Sequence, residues 1–342
     1  MVIPRSALVL AGVAALQTPA PIDVSLGARA LQPGELVVLT VTTREPAGAV
    51  HVRAFDWDWP GFAADDHTWR AVVGIDLDVA PGAYAIQVRA DSSSGVARHM
   101  ETVTVSPKAF RTRHLTVDNA FVNPPASVQP RIEQEAAVLA PLWRSSNLAP
   151  LWTGAFVAPV PQEANSAFGT RSVFNRQARS PHGGADFPSP AGTPVKAPNG
   201  GLVVLAGDLY YTGGTVVIDH GLGLVSLFAH LSAIDVKAGD QVSAGTVVGK
   251  VGATGRVTGP HLHWTLRASG ARVDPLSLLY VLGPERRPIP DPRFPLPFDS
   301  RFHLPDSAHG FSFRCLSYHA RIRFSKSIDS STLFGGRCAP LT

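Results

Sequence analysis

Between about residues 154 and 283 the chain is a series of short apolar, β-branched runs cut by glycine. Examples are Gly201-Leu202-Val203-Val204-Leu205-Ala206-Gly207, Gly214-Thr215-Val216-Val217-Ile218-Asp219-His220 and Leu224-Val225-Ser226-Leu227-Phe228-Ala229-His230. Glycine at this density serves tight turns and close backbone approach. The pattern predicts a compact, curved β-sheet domain over residues 154–283.

The preceding chain is also β-rich, but its runs alternate apolar and polar residues. Glu35-Leu36-Val37-Val38-Leu39-Thr40-Val41-Thr42 and Gly82-Ala83-Tyr84-Ala85-Ile86-Gln87-Val88-Arg89-Ala90 are separated by turn signals such as Ala80-Pro81-Gly82. Short strands at this spacing predict a β-sandwich-like domain over residues 22–106. Residues 107–153 read as a connector. In it Pro130 stands at a first helical position, and Ile132, Ala136, Leu139 and Trp143 recur at helical spacing. One helix is expected there, closed at or soon after Pro141. The fold class is therefore mainly all-β. Trp57, Trp59, Trp69 and Phe62 lie beside acidic residues and invite a sugar-stacking role, but aromatics in a sandwich are more often core.

Both ends differ from this body. Residues 1–20 carry one charge at Arg5, an apolar stretch from Ala7 to Leu16 and small or turn-forming residues after it. This is the order of an export signal, too short to span a bilayer, and no further membrane span is expected. Residues 284–342 open with Pro284, Pro288, Pro290, Pro292, Pro295 and Pro297 and continue without periodicity, so a disordered tail is expected. Its nine Lys/Arg against five Asp/Glu account for the whole net charge of +4. The folded body is then neutral overall, which argues against a nucleic-acid footprint. Cys315 and Cys338, the two cysteines, both lie in the tail. An exported protein is able to pair them, and nothing near them has zinc-ligand spacing.

Three separated segments concentrate the remaining chemistry. They are His182-Gly183-Gly184-Ala185-Asp186, Phe228-Ala229-His230-Leu231 and Gly259-Pro260-His261-Leu262-His263. His182 and Asp186 alone are a weak signal, but the glycines and prolines around them deny the segment a helix. His261 and His263 are stronger. On a strand, residues two apart share a face, and paired imidazoles on an apolar strand are costly to bury unless metal or hydrogen bonds satisfy them. His230, at the end of an apolar run, gains weight only from this company. His220 is expected to serve a hairpin. His51, His67, His99, His114, His303, His309 and His319 have no partner at ligand spacing.

With their flanks, these segments resemble the three motifs of the M23 (lysostaphin/LytM-type) metallopeptidases. Phe168-Gly169-Thr170-Arg171, Ala191-Gly192-Thr193-Pro194-Val195, Gly239-Asp240-Gln241-Val242, Gly249-Lys250-Val251-Gly252 and Val273-Asp274-Pro275 also match. The resemblance covers about residues 154–283. It implies a compact antiparallel β fold with a groove across the sheet, and one zinc ion (Zn2+) per chain held by His182, Asp186 and His263. His230 and His261 then match two catalytic histidines that are not ligands. His261 is expected to be the general base and His230 the oxyanion contact, though the two roles are exchangeable at this stage. Phe228 replaces a tyrosine that is common in the family. The implied partner is peptidoglycan peptide, cut in cross-links or stem peptides by an exported enzyme of the periplasm or cell envelope. Two alternatives stand beside this. One is a non-catalytic regulator of other wall hydrolases, which would not need all five residues. The other is a zinc peptidase acting on other glycine-rich proteins.

Overall fold

The computed structural model describes residues 22–116, 122–144, 146–165 and 168–284. The expected signal 1–20, residues 285–342 of the expected tail and both cysteines lie outside the described residues. Among the described residues no helix is long and apolar enough to cross a membrane.

Two four-stranded antiparallel sheets form the N-terminal part. One has the order β1 (Ile22–Ala28), β2 (Leu36–Thr43), β6 (Thr68–Gly74), β5 (Phe62–Ala63). The other has the order β4 (Trp57–Pro60), β3 (Ala47–Ala54), β7 (Gly82–Ser92), β8 (Gly95–Val105). Burial alternates along β3 and through the middle of β7, as expected for a sheet with one wet face. β2 behaves differently. Leu36, Val37, Val38 and Leu39 are all buried, because the C-terminal half covers its second face. Trp59 is core, and Trp57, Phe62 and Trp69 pack against the core half-buried, so their apolar bodies serve packing first.

The C-terminal half is one nine-stranded, mainly antiparallel sheet. Its main path runs β12 (Gly184–Phe187), β19 (Leu262–Ala268), β16 (Leu224–Ile234), β15 (Gly213–Gly221), β14 (Gly201–Leu209), β17 (Gln241–Val242). β13 (Pro194–Lys196) pairs β18 (Val247–Val251), which also pairs β16, and β20 (Ala271–Val273) pairs β19. Central β15 is buried at every residue. A small separate sheet joins β9 (Thr112–Leu115) in parallel to β10 (Arg171–Phe174), with β11 (Gln177–Ala178) beside it.

The connector helix α1 spans Gln129–Leu142 with Pro130 in its first turn and Pro141 inside its last. No residue of α1 is fully buried. Leu139 and Leu142, with Trp143 just beyond, cover a small apolar strip of Val217, Val225, Leu227 and Ala229. A second helix, α2 (Pro275–Leu282), was not expected from the sequence. The signal was present: the Asp274 side chain accepts from Leu276 N as N-cap, and Pro275 occupies the first helical position.

The two halves share one apolar core and a polar joint. Leu36 N donates to Ser277 Oγ at 2.8 Å and Asp274 N to Gly34 O at 2.7 Å. Arg29 bridges buried Glu35 and Asp274, and Lys108 also reaches Glu35. Arg272 binds Asp76 through its backbone N and its guanidinium. Gly74 is needed here: a Cβ would stand 2.9 Å from the Ala271 Cβ and 3.0 Å from the Ala268 Cβ.

Candidate metal centre

β12 and β19 place the first group of side chains. Their antiparallel register sets Asp186 directly opposite His263, and β16 sets Ala229 opposite His263 on the other side. Cross-strand partners share a face, so the carboxylate and imidazole meet. Gly184 permits this approach, since a Cβ there would come within 2.8 Å of the His263 ring and clash with the Trp264 carbonyl. His182 lies just before β12 and is held by backbone bonds. Its N donates to Thr170 O, and its O accepts from Gly169 N.

Three atoms then converge. His182 Nε2 is 2.9 Å from His263 Nδ1 and 3.1 Å from Asp186 Oδ1, and His263 Nδ1 is 2.9 Å from that same oxygen. Tetrahedral ligands bonded at about 2.0–2.1 Å would stand roughly 3.3 Å apart, close to this triangle. His263 presents Nδ1 because its Nε2 is occupied by Thr265 Oγ1 at 2.9 Å. That neighbour sets the ring orientation, as such outer partners do at metal centres. Among the described residues this is a group whose ligand atoms lie within reach of one ion. The donor set of two imidazole nitrogens and one carboxylate oxygen suits zinc, and it leaves a fourth position open.

The electrostatics fit the same reading. Burial alone would raise the Asp186 carboxyl, but hydrogen bonds and charge from His182 and His263 outweigh it and hold it well below the usual carboxylate range. Burial pushes the His263 imidazole down, and neighbouring His182 adds to that. Both effects keep these groups in the deprotonated forms that bind metal. His182 Nδ1 is buried without a partner.

The other two histidines flank this triangle. His261 sits before β19 and forms an isolated bridge with Gly252. Its Nδ1–H donates to Gly259 O at 2.9 Å, which leaves Nε2 as an acceptor 3.8 Å from Asp186 Oδ1. His230 does not end its strand, as the sequence suggested; β16 continues to Ile234. Strict alternation would turn it away from the face shared by Ala229 and His263. Instead its backbone is left-handed, with φ of 65°, near a register shift in the β15–β16 ladder. This strained turn brings its ring centroid to 4.9 Å from that of His261 and 6.0 Å from that of His263. His230 N donates to Thr212 O, and Nδ1–H donates to Thr254 O at 3.0 Å. Burial, with the charge of nearby His263, lowers the His230 pKa to about 4.

The structure thus brings together His182, Asp186, His230, His261 and His263. It sets the other histidines elsewhere. His220 is not a turn residue but a fully buried core histidine on β15. Its Nδ1–H donates to Gly200 O at 2.7 Å, and its Nε2 accepts from Ser226 Oγ at 2.9 Å. Ser226 in turn accepts from Trp264 Nε1. Among the described residues His51, His67, His99 and His114 join no metal-binding group, and His303, His309 and His319 lie outside the described residues. Sequence reasoning missed Thr265 and the carbonyls of Thr254 and Gly259, whose roles only the folded register reveals.

Comparison with known proteins agrees with this geometry. Residues 180–275, which include all five residues, match Peptidase family M23. The chain is similar to the peptidoglycan DD-endopeptidase ShyA of Vibrio cholerae, 47% identical over 95 residues, which are 28% of this chain and 22% of that protein. It is similar to the DD-carboxypeptidase/endopeptidase Mpg of Neisseria meningitidis, 44% identical over 97 residues, 28% of this chain and 22% of that one. The matches therefore span about a fifth of the length of these relatives. A crystal structure of a Pseudomonas aeruginosa protein assigned to peptidase M23 superposes with a TM-score of 0.58 at 34% identity, covering 75% of this chain and 97% of that one.

Proposed function

The chain belongs to peptidase family M23, and from that premise we propose that it is a zinc-dependent endopeptidase of peptidoglycan, cutting peptide bonds in cross-links or stem peptides. The observation that carries the proposal is the triangle of His182 Nε2, Asp186 Oδ1 and His263 Nδ1 with two further histidines on its rim. His182, Asp186 and His263 would hold one zinc ion per chain. When bound, zinc supplies Lewis acidity: it polarises a carbonyl and makes water a nucleophile at neutral pH.

The protein's own groups manage the protons. Gly259 O fixes the Nδ1–H tautomer of His261, so its Nε2 lone pair accepts the proton of the attacking water. Thr254 O fixes the same tautomer in His230. With a pKa near 4, His230 is a weaker base at neutral pH than one matched to the task. We assign its Nε2 to orienting the attacking water. Donation to the developing oxyanion then needs a proton delivered to the ring during turnover. In the exchanged assignment His230 is the base and His261 the donor. That arrangement places the base on a ring whose pKa burial lowers to about 4.

The relatives' names as peptidoglycan peptidases support a cell-envelope location for this chain, and the single charge and apolar order of residues 1–20 support export to it. A purely binding regulator of wall hydrolases is the second reading. It is disfavoured because all five residues are present and converge. A zymogram on purified peptidoglycan tests the proposal. Clearing that disappears with a chelator and returns with zinc supports it, whereas clearing that ignores the chelator refutes it.

A further inference from the structure

His230 reaches the metal side of its sheet because β16 carries a bulge there. In the β15–β16 ladder Gly214 stands opposite Leu231 and Val216 opposite Phe228, so Thr215 alone faces both Ala229 and His230. The left-handed residue of such a bulge is ordinarily glycine, but here it is His230, with φ of 65°. A non-glycine residue in that conformation is strained, and the strain persists only where its surroundings over-determine it.

Thr254 is the residue that ties these surroundings together. Its hydroxyl accepts from Gly214 N at 2.9 Å and donates to Leu231 O at 2.8 Å, bridging the pair that closes one end of the bulge. Its carbonyl accepts from His230 Nδ1–H at 3.0 Å. One residue therefore fixes both the backbone beside His230 and the His230 ring. The facing strand is held in the same way. His230 N donates to Thr212 O at 2.7 Å. Thr215 Oγ1 donates to Gly213 O at 2.7 Å, so it accepts from Thr212 Oγ1, also at 2.7 Å. The loop that carries Thr254 runs on to His261, and the bridge between Gly252 and His261 closes its base. Both rim histidines are thus referenced to one loop.

We propose that the Thr254 hydroxyl is a positioning group for hydrolysis: it holds the bulge that aims the His230 ring at the metal centre. The role rests on the endopeptidase reading and adds to it a residue outside the five. The hydroxyl bonds backbone atoms of Gly214 and Leu231 and not a metal ligand. Its removal should shift His230 while His182, Asp186 and His263 stay in place. Rates respond steeply to such shifts, a misplacement of about 1 Å costing on the order of 100-fold.

The test compares the zinc-loaded full chain with Thr254→Ser, which keeps the hydroxyl, and Thr254→Val, which puts a methyl group in its place. On a cross-linked peptidoglycan fragment, kcat of the Val chain is expected to fall roughly 10–100-fold with KM and zinc content unchanged, because positioning acts on the reacting state. The Ser chain should keep most of the rate. In a chain that already carries His230→Ala, adding Thr254→Val should cost nothing further, since the hydroxyl acts through His230. A second readout does not involve turnover. Nitrogen-resolved NMR of the zinc-loaded chains should show the His230 Nδ1–H proton protected in the unaltered and Ser chains and exchanging in the Val chain. An unchanged Nδ1–H signal in the Val chain, a Ser chain as impaired as the Val chain, or an undiminished further loss in the His230→Ala background overturns the assignment. Should the Val chain not fold, Thr254→Ala removes the hydroxyl without adding bulk and is read in the same way. A chain that folds with neither substitution overturns the positioning role in favour of a structural one. If the unaltered chain cleaves no fragment, the endopeptidase reading fails, and the NMR comparison still decides whether Thr254 holds His230.

Discussion

His182 and His263 approach each other through different nitrogens, Nε2 and Nδ1, 2.9 Å apart. The asymmetry has a cause. Thr265 Oγ1 occupies the Nε2 of His263, so only Nδ1 is left to face the centre. Thr265→Val keeps the shape and removes the hydroxyl. Zinc affinity is expected to fall about 10–100-fold, the usual cost of losing a partner behind a metal ligand. Competition with a chelator of known affinity measures it; unchanged affinity would separate Thr265 from the metal centre.

His230→Ala and His261→Ala are expected to retain zinc and to lose about 10²–10⁴-fold in turnover, the range for a lost proton-transfer group. Zinc content and rate should be read on the same samples. A variant that loses its metal while keeping its fold would belong to the ligand set.

His220 makes stability depend on pH. Burial lowers its folded pKa to about 4, below the ordinary 6.5. The unfolded chain therefore takes up the proton first as pH falls. The stabilisation is complete above pH 6.5 and is lost between pH 6.5 and 4. Its size is on the order of 3 kcal/mol. Denaturant melts of the unaltered chain across this window should show the loss, and His220→Gln should reduce it, leaving the part that buried His230, also lowered to about 4, contributes. Identical slopes in both chains would contradict the assignment.

At the joint between the halves, Gly74→Ala should destabilise the whole described body by about 1–3 kcal/mol through overpacking against Ala268, Ala271 and Val273. Glu35→Ala leaves Arg29 and Lys108 facing a buried gap and should cost about 3–5 kcal/mol. Thermal melting checks both. A single shared transition that moves down is expected; an unmoved transition would mean that the joint contributes nothing.

Much of this was legible before the fold was known. The β runs between glycines and the connector helix follow from local pattern, because strand periodicity is written in the order of side chains; the five site residues are gathered by the resemblance of their three motifs to the M23 family. The Leu36–Leu39 run was legible as a strand but not as a strand covered on both faces, since its second cover comes from residues more than two hundred positions away. His230 was misplaced at a strand end because a left-handed turn inside a ladder leaves no composition signal in a non-glycine residue. The sequence around His220 reads as a turn because its partners, Gly200 and Ser226, meet it only through register. Thr265 stood two residues from His263 in plain view, but its role depends on which ring nitrogen faces the centre.

The central claim is that His182, Asp186 and His263 hold a zinc ion on which hydrolysis depends. Zinc stoichiometry and cleavage of purified peptidoglycan, measured together on the full chain and on Asp186→Ala, test it most directly. About one zinc per unaltered chain is expected, with the Asp186→Ala chain folded, nearly free of zinc and inactive. Full zinc occupancy in folded Asp186→Ala, or undiminished cleavage by a chain shown to contain no zinc, would contradict it.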